Sequence, residues 1–330
     1  MPAGSHAVLI QASSEPPVVV LVGTRVVVRL HPSYSTSVLP LESVPNFSEG
    51  RDEDTIEALR SALSGCATVL DMHADPDHNR SVFTVVGDDE ALVDALVAGV
   101  ARAKELIDLR RHEGAHPRIG AADVVPVVPI RPADAPRAVA AAGALARRLA
   151  REVGLPVFLY GDLAPGRGPA FFRRGGPDEL QRRIDSGELT PDFGPRRLDE
   201  RAGGVIVGAR RPLIAFNVSL ATEDVSVARA IASVVRERDG GFPGVRALGL
   251  ALPRAGRTQV SMNVEDYEAA ALHEIVARVE AEAAGRGVRV LGSELVGLMP
   301  AAAAAAAAGS LLRIDGFDAT RLLELRLLSP

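Results

Sequence analysis

Two hydrophobic periods alternate along the chain, and their order outlines the fold. Ile56, Leu59 and Leu63 repeat at helical spacing behind a short extended segment, with Ser48 placed to cap that helix. Residues 67–72 and 80–86 are compact apolar runs with strand character. Leu92, Leu96, Val100 and Leu106 form one stripe and predict a helix over residues 88–109. A Val/Pro-rich run at 123–130 reads as a buried strand, an Ala/Leu-rich stretch at 133–153 as a helix, and 156–160 as a short strand.

The same order then restarts. Residues 213–219 read as a strand and 223–238 as a helix carrying Val225, Val227, Ile231, Val234 and Val235. Strands follow at 246–252 and 258–264, then a helix at 267–285 and a strand at 288–291. Each half is β-α-β-β-α-β, the ferredoxin-like order. Asn46-Phe47-Ser48 in the first half is echoed by Asn217-Val218-Ser219 in the second. Helices on one face of a sheet leave the other face to be covered, and two such halves can cover each other. The expectation is an α/β (α+β) chain of two ferredoxin-like subdomains whose sheets face each other across a ligand crevice. An Arg/Gly/Pro-rich connector at 161–176, a short helix near 178–186 and a turn-rich stretch at 191–204 place the division there. The subdomains are then 38–192 and 193–330, behind an extension at 1–37 that reads as disordered or non-native.

Composition removes several function classes. The net charge of −5, the absence of Trp and an aromatic content of 4% argue against nucleic-acid binding. The single cysteine, Cys66, excludes an internal disulfide and reads as buried packing at a helix-to-strand junction. No uncharged apolar run is long enough to span a membrane, and the eight alanines at 301–308 are helical by propensity but too short to insert. The valine patches at 18–22 and 26–28 lack the basic lead of a secretory signal, so the expected location is cytoplasmic.

Polar chemistry concentrates in the loop of residues 110–120, where His112, Glu113, His116 and three arginines, Arg110, Arg111 and Arg118, fall between apolar elements. His112-Glu113-Gly114-Ala115-His116 fits H-E-x-x-H, but that zinc chemistry needs a helix. Gly114 inside the motif and Pro117 after it oppose one, so no metal is expected. Pro117 also restricts His116 to extended backbone. A second polar cluster joins two strands at 71–80. Either it is a solvated turn, or His73, Asn79 or Arg80 faces the crevice; its carboxylates and imidazoles also suit a divalent ion. Asn46, Asn217 and Asn263 sit at strand ends, where each can meet substrate or cap a turn.

Many segments together resemble the glutamate formimidoyltransferase family, the folate-dependent formiminotransferases of histidine degradation. They are Val44-Pro45-Asn46-Phe47-Ser48-Glu49-Gly50-Arg51, Asp75-Pro76-Asp77-His78-Asn79-Arg80-Ser81-Val82-Phe83, the loop of residues 110–120 and Val157-Phe158-Leu159-Tyr160-Gly161. Others are Pro191-Asp192-Phe193-Gly194-Pro195, Leu213-Ile214-Ala215-Phe216-Asn217, Gln259-Val260-Ser261-Met262-Asn263 and Gly292-Ser293-Glu294-Leu295-Val296-Gly297-Leu298. The resemblance runs from about residue 39 to 324. It implies a transferase that moves a formimino group between N-formimino-L-glutamate and tetrahydrofolate, the co-substrate, and a homodimer. It maps the catalytic histidine onto His116. It maps the folate-binding segment onto Gly194, Pro195, Arg196, Arg197, Leu198, Asp199, Glu200, Arg201, Ala202 and Gly203. The chain departs from the vertebrate enzyme at Ala202, which replaces a Trp, and at His73, which replaces an acidic residue.

Formimino transfer requires an amine to lose a proton before it attacks an amidine-like carbon, and the leaving nitrogen to gain one. A histidine near neutrality can do both, which makes His116 the expected general acid and base. Arg118 can clamp a substrate carboxylate or pair with Asp123. Arg167, Arg173, Arg174, Arg182, Arg183, Arg196, Arg197 and Arg201 form a local basic excess suited to a folate glutamate tail. Two other readings stay open: formyl transfer between N-formylglutamate and tetrahydrofolate, and a non-catalytic folate-binding protein.

Overall fold

A computed structural model describes residues 21–22, 25–26, 39–323 and 325. In one unit, Leu21–Val22 pairs antiparallel with Arg25–Val26; the other residues of the expected extension at 1–37 lie outside those described. All further elements belong to a second unit, residues 40–329.

Its first sheet is built from β1 (Leu41–Ser43), β2 (Asn46–Phe47), β3 (Thr68–Asp75), β4 (Arg80–Gly87), β5 (Ala122–Pro129), β6 (Val157–Gly161) and β7 (Val205–Ala209). β1 and β2 are two pieces of one line, each pairing with β4 on one side and β5 on the other. β3 pairs with β4 at one edge, and β7 and then β6 extend the sheet in parallel beyond β5. Helices α1 (Glu53–Ser64), α2 (Asp89–Leu106) and α3 (Ala135–Arg148) cover one face. Ile56, Leu59, Leu63, Leu92, Leu96 and Leu145 pack there on Phe47, Phe83, Val85, Val125 and Val207. Each fully buried Leu or Phe of this kind contributes about 1.5–3 kcal/mol.

Several sequence expectations change in detail. Asp52, not Ser48, caps α1; Ser48 Oγ instead donates to the Gly120 carbonyl at 2.7 Å and ties β2 to the start of β5. Cys66 is exposed rather than buried, because the turn after α1 leaves the sheet edge open. The expected division at 192/193 falls inside the first sheet, since β7 pairs between β5 and β6; the change of sheet comes between Ala209 and Ile214.

The connector folds into α4 (Pro169–Arg173) and α5 (Gly176–Asp185). Phe172, Leu180 and Ile184 close over Val124, Phe158, Tyr160 and Ile206 on the side of the sheet opposite the long helices. That leaves the open face of β3 and β4 for the second subdomain.

The second sheet contains β8 (Ile214–Leu220), β9 (Val245–Leu252), β10 (Arg257–Val264) and β11 (Val290–Val296), in the antiparallel order β9-β10-β8-β11. This is the ferredoxin-like strand order, and the first sheet repeats it as β3-β4-β2-β5 before its parallel extension. Helices α6 (Val225–Val235) and α7 (Leu272–Ala284) bury Val218, Val260, Met262 and Ile275 on one face. The alanine run forms helix α8 (Ala301–Leu312) as propensity predicts.

A bulge in β3 decides which side chains reach the open face. Val69 pairs with Val85, but Asp71 pairs with Thr84, so Leu70 is the extra residue. One inserted residue reverses the side-chain alternation beyond it. Asp71, His73 and Asp75 therefore share the open face with Arg80, Val82 and Thr84 instead of joining Val69 under the helices. Across from them, Asn217, Gln259 and Glu294 occupy the open face of the second sheet. His73 Nε2 lies 3.4 Å from Glu294 Oε1, and Asp77 Oδ1 accepts the Arg254 N–H at 2.9 Å, so the two open faces meet at both places.

Candidate active site

Three backbone segments converge at one edge of the first sheet: residues 48–51, the turn 75–80 and the loop 112–118. Glycines let them touch. A Cβ on Gly50 would stand 2.4 Å from the Asp75 carbonyl oxygen, and one on Gly114 2.3 Å from that of His78. Asn79 holds the junction in left-handed backbone, φ 46°. Its Oδ1 accepts the Gly50 N–H at 3.0 Å and its Nδ2 donates to the Glu113 carbonyl at 3.0 Å. Asn79 is therefore a strut rather than a substrate contact.

Arg118 completes the clasp. Its guanidinium donates to the carbonyls of His116 at 2.6 Å, His78 at 3.0 Å and Asn79 at 3.2 Å. Its donors are spent on main chain and on the His112 ring, which argues against both the carboxylate clamp and the Asp123 pair. Asp123 is buried and engages the Ile119 N–H at 2.6 Å and the Arg173 guanidinium. Burial, before any charge effect, pushes Arg118 down to about 10.

His112 is committed as well. Arg118 Nη1 sits 2.6 Å from its Nδ1, and its Nε2 lies 2.9 Å from the Asn79 carbonyl. Arg118 Nη1 lies equally close to Nε2, at 2.5 Å, so the guanidinium sits against both ring nitrogens and holds the imidazole in place. Residues 112–118 are not helical, so the H-E-x-x-H pattern lacks the geometry of a zinc motif.

His116 differs from these neighbours. It is half-buried, and neither ring nitrogen hydrogen-bonds to a described residue. Burial, then the positive charges of Arg80 and Arg173 and the nearby His78 and Arg118, hold its imidazole well below the ordinary 6.5. Arg80 shares this region, and its guanidinium makes no hydrogen bond or ion pair with a described residue. Burial and the repulsion of Arg173 push it down to about 10, still charged at neutral pH. Asp123 and Asp75 act on it only through their charge, without a direct ion pair, so a half-buried guanidinium beside His116 is suited to receive an anion.

The other expected residues fall around this pair. His73 faces Glu294, whose second oxygen accepts from Asn217 at 3.0 Å and Gln259 at 3.3 Å. His73, Asp75 and Glu294 each place one donor atom within 4.8 Å of the others, the arrangement among the described residues best able to hold a cation. Asn46 lies on the open face with Nδ2 turned back to the Val44 carbonyl at 2.9 Å. Asn263 is exposed two residues along β10 from Ser261, the partner of Asn217. A cavity of 520 Å³ adjoins the loop, lined by Glu49, Asp52, Asn79, Asp108, Arg110 and His112; His116 and Arg80 do not line it.

The segment Gly194–Gly203 runs along the same sheet edge. Its end is stapled to the base of the loop: Leu109 N–H donates to the Arg201 carbonyl and Ala121 N–H to that of Ala202, both at 2.8 Å. Ala202 and Gly203 are buried, whereas Gly194, Pro195, Arg196 and Arg197 are exposed. Ala202 packs into the main core, so its side chain is unavailable to a ligand. The basic excess is largely neutralised. Arg167, Arg173, Arg174, Arg182, Arg183, Arg197 and Arg201 each sit within 4.0 Å of a carboxylate, leaving Arg196 on the Thr190 hydroxyl.

Sequence reasoning missed Glu294, Gln259 and His78 as neighbours of the site, and it assigned Arg173 to a folate tail rather than to Asp123 and the surroundings of His116. Glu294 lies beyond the strand expected at 288–291 and inside β11 as it forms, so its place on the open face was not readable.

Known proteins share this arrangement of sequence. The N-terminal subdomain of the formiminotransferase domain matches residues 40–210, and the formiminotransferase domain matches residues 215–317. Glutamate formimidoyltransferase of Thermoplasma acidophilum is 40% identical over 294 residues, covering 87% of this chain and 97% of that protein. Glutamate formimidoyltransferase of Streptococcus pyogenes serotype M1 is 39% identical, covering 84% and 95%. Formimidoyltransferase-cyclodeaminase of Rattus norvegicus is 40% identical over 79% of this chain and 50% of its own length. With both subdomains matched and nearly the whole of two relatives covered, the chain belongs to the formiminotransferase family.

Proposed function

We propose that the protein is a glutamate formimidoyltransferase that moves a formimino group between N-formimino-L-glutamate and tetrahydrofolate, with His116 as the proton-transfer residue. The observation that carries this reading is the family match over both subdomains, joined to a His116 whose ring nitrogens bond to no described residue and which lies in the field of the Arg80 charge. Formiminoglutamate brings carboxylates, which suit Arg80, and an amidine, whose carbon needs a nucleophile and a base. N5 of tetrahydrofolate attacks that carbon while His116 accepts its proton. The tetrahedral centre then collapses: the bond from carbon to the glutamate nitrogen breaks, and His116 returns the proton to that nitrogen. Arg80 takes over the clamp role expected of Arg118.

The exposed Gly194–Arg197 stretch supports folate at the mouth of the same edge, through backbone groups at Gly194 and Pro195 and the side chains of Arg196 and Arg197. Leu198, Asp199, Glu200, Arg201, Ala202 and Gly203 shape the segment; Asp199 Oδ1 accepts the N–H groups of Arg201 and Ala202, each at 2.9 Å. Asn46, Asn217 and His73 line the opposed open faces. The reaction itself asks for no metal. No helix among the described residues is long and apolar enough to cross a membrane, and a cytoplasmic homodimer is the proposed setting; sedimentation tests the dimer.

Formyl transfer passes through a similar tetrahedral centre, so the discriminating experiment is direct. Purified protein with tetrahydrofolate is offered N-formiminoglutamate and, separately, N-formylglutamate. The expected result is 5-formiminotetrahydrofolate and free glutamate from the first donor at far the higher rate. Preference for formylglutamate would transfer the reading to formyl chemistry, and turnover of neither by folded protein would remove it.

A further inference from the structure

We infer that Asp75 and His78 form a positioning pair that fixes the tautomer of His116. The inference rests on the proposed proton-transfer role of His116.

His78 is 1% exposed, and its Nε2 has no partner among the described residues. A buried imidazole nitrogen without a hydrogen bond is unfavourable and asks for an occupant. Its surroundings fix the other nitrogen. Asp75 Oδ1 is locked by the N–H groups of Asp77 and His78, both at 2.8 Å, which leaves Oδ2 3.7 Å from His78 Nδ1. That is beyond a direct hydrogen bond, but close enough for the carboxylate to favour hydrogen on Nδ1. Asp77 and Glu294 add negative charge around the ring and Arg80 positive charge, while burial keeps the imidazole neutral. The Nδ1–H tautomer then leaves a lone pair on Nε2.

The ring that His78 meets is His116, with centroids 6.1 Å apart and planes at 47°. This separation exceeds a direct N–H···N bond between tilted rings, and one bridging water spans it. Through that water the Nε2 lone pair accepts the N–H of one His116 nitrogen. The other His116 nitrogen then holds its lone pair, ready for the attacking amine. The pair exchanges no atoms with substrate; it sets which nitrogen of His116 is basic.

The test compares His78→Phe, His78→Gln and Asp75→Asn with the wild type, using steady-state kinetics and imidazole ¹⁵N NMR. The wild type should show His116 as one neutral tautomer and His78→Phe a mixture. By analogy with other partners that orient a histidine, kcat should fall about 10–100-fold in His78→Phe with KM little changed. His78→Gln should recover part of the loss, because its amide oxygen can accept from the same water. Asp75→Asn should show a smaller loss in the same direction. His78→Gln and Asp75→Asn keep the test decisive if His78→Phe fails to fold. A single His116 tautomer in wild type and variants alike, or a lower melting temperature with kcat unchanged, overturns the pair. A wild type with an intact tautomer lock but no formimino transfer would refute the proposed reaction instead.

Discussion

At the residue scale, the difference between His112 and His116 separates structure from chemistry. Both imidazoles sit in the same loop and both are held below the ordinary histidine value, chiefly by burial. His112 spends its ring nitrogens on Arg118 and Asn79, while those of His116 hydrogen-bond to no described residue. Their roles were separable in sequence only through Pro117 and the family resemblance. His78 was illegible there, because a histidine in an Asp/Pro-rich turn reads as solvated until the fold buries it. The electrostatics give a pH prediction. A His116 depressed below 6.5 stays neutral at lower pH, so the acid limb of kcat/KM should lie below 6.5. Bound carboxylates offset the arginines that depress it, so the acid limb of kcat should lie above that of kcat/KM. A pH profile of both constants checks the order. For Arg80→Gln, loss of one charged hydrogen-bond pair should raise KM for formiminoglutamate about 10–100-fold and leave folate affinity within about twofold.

At the element scale, the loop owes its shape to contacts that no single segment reveals. Helical stripes and β-runs placed most elements to within a few residues, because burial on one face imposes its period on the sequence. The exceptions have local causes. β7 was missed because Val205–Ala209 follows Gly203-Gly204 in a turn-rich stretch. The β3 bulge was invisible because its alternation is reset by hydrogen-bond register, not composition. Asn79 tests the clasp. Asn79→Ala loses two side-chain hydrogen bonds and strains a left-handed position, which should cost about 2–4 kcal/mol. Asn79→Gly removes the strain but not the missing bonds, so chemical denaturation should rank it between Ala and wild type. Equal losses would show that backbone conformation at this turn matters little.

At the scale of the whole molecule, two polar sheet faces meet through His73 and Glu294 rather than through a continuous apolar core. The duplication was legible in the repeated element order, and the opposition of the sheets followed from each half having helices on one face. The contacts across the crevice were not legible, since they depend on the bulge and on pairs such as Asn217 and Glu294 in neighbouring strands. Acid should loosen the fold. His78, His112 and His116 are all depressed from 6.5, so below 6.5 the unfolded chain binds more protons than the folded one. Stability is therefore full above 6.5 and falls as pH drops toward the folded-state values, by up to about 1.4 kcal/mol per pH unit for each histidine. Melting temperatures from pH 7.5 to 5 read this slope at about half-unit steps.

The proton-transfer role proposed for His116 is distinct from a role in holding the site together. The most direct measurement is single-turnover formimino transfer by wild type and His116→Ala, with tetrahydrofolate affinity titrated on the same samples. Proton transfer by His116 predicts a rate loss of about 10²–10⁴-fold in His116→Ala with folate affinity largely kept. A rate within a few-fold of wild type, or loss of folate binding in parallel with the rate, would contradict it.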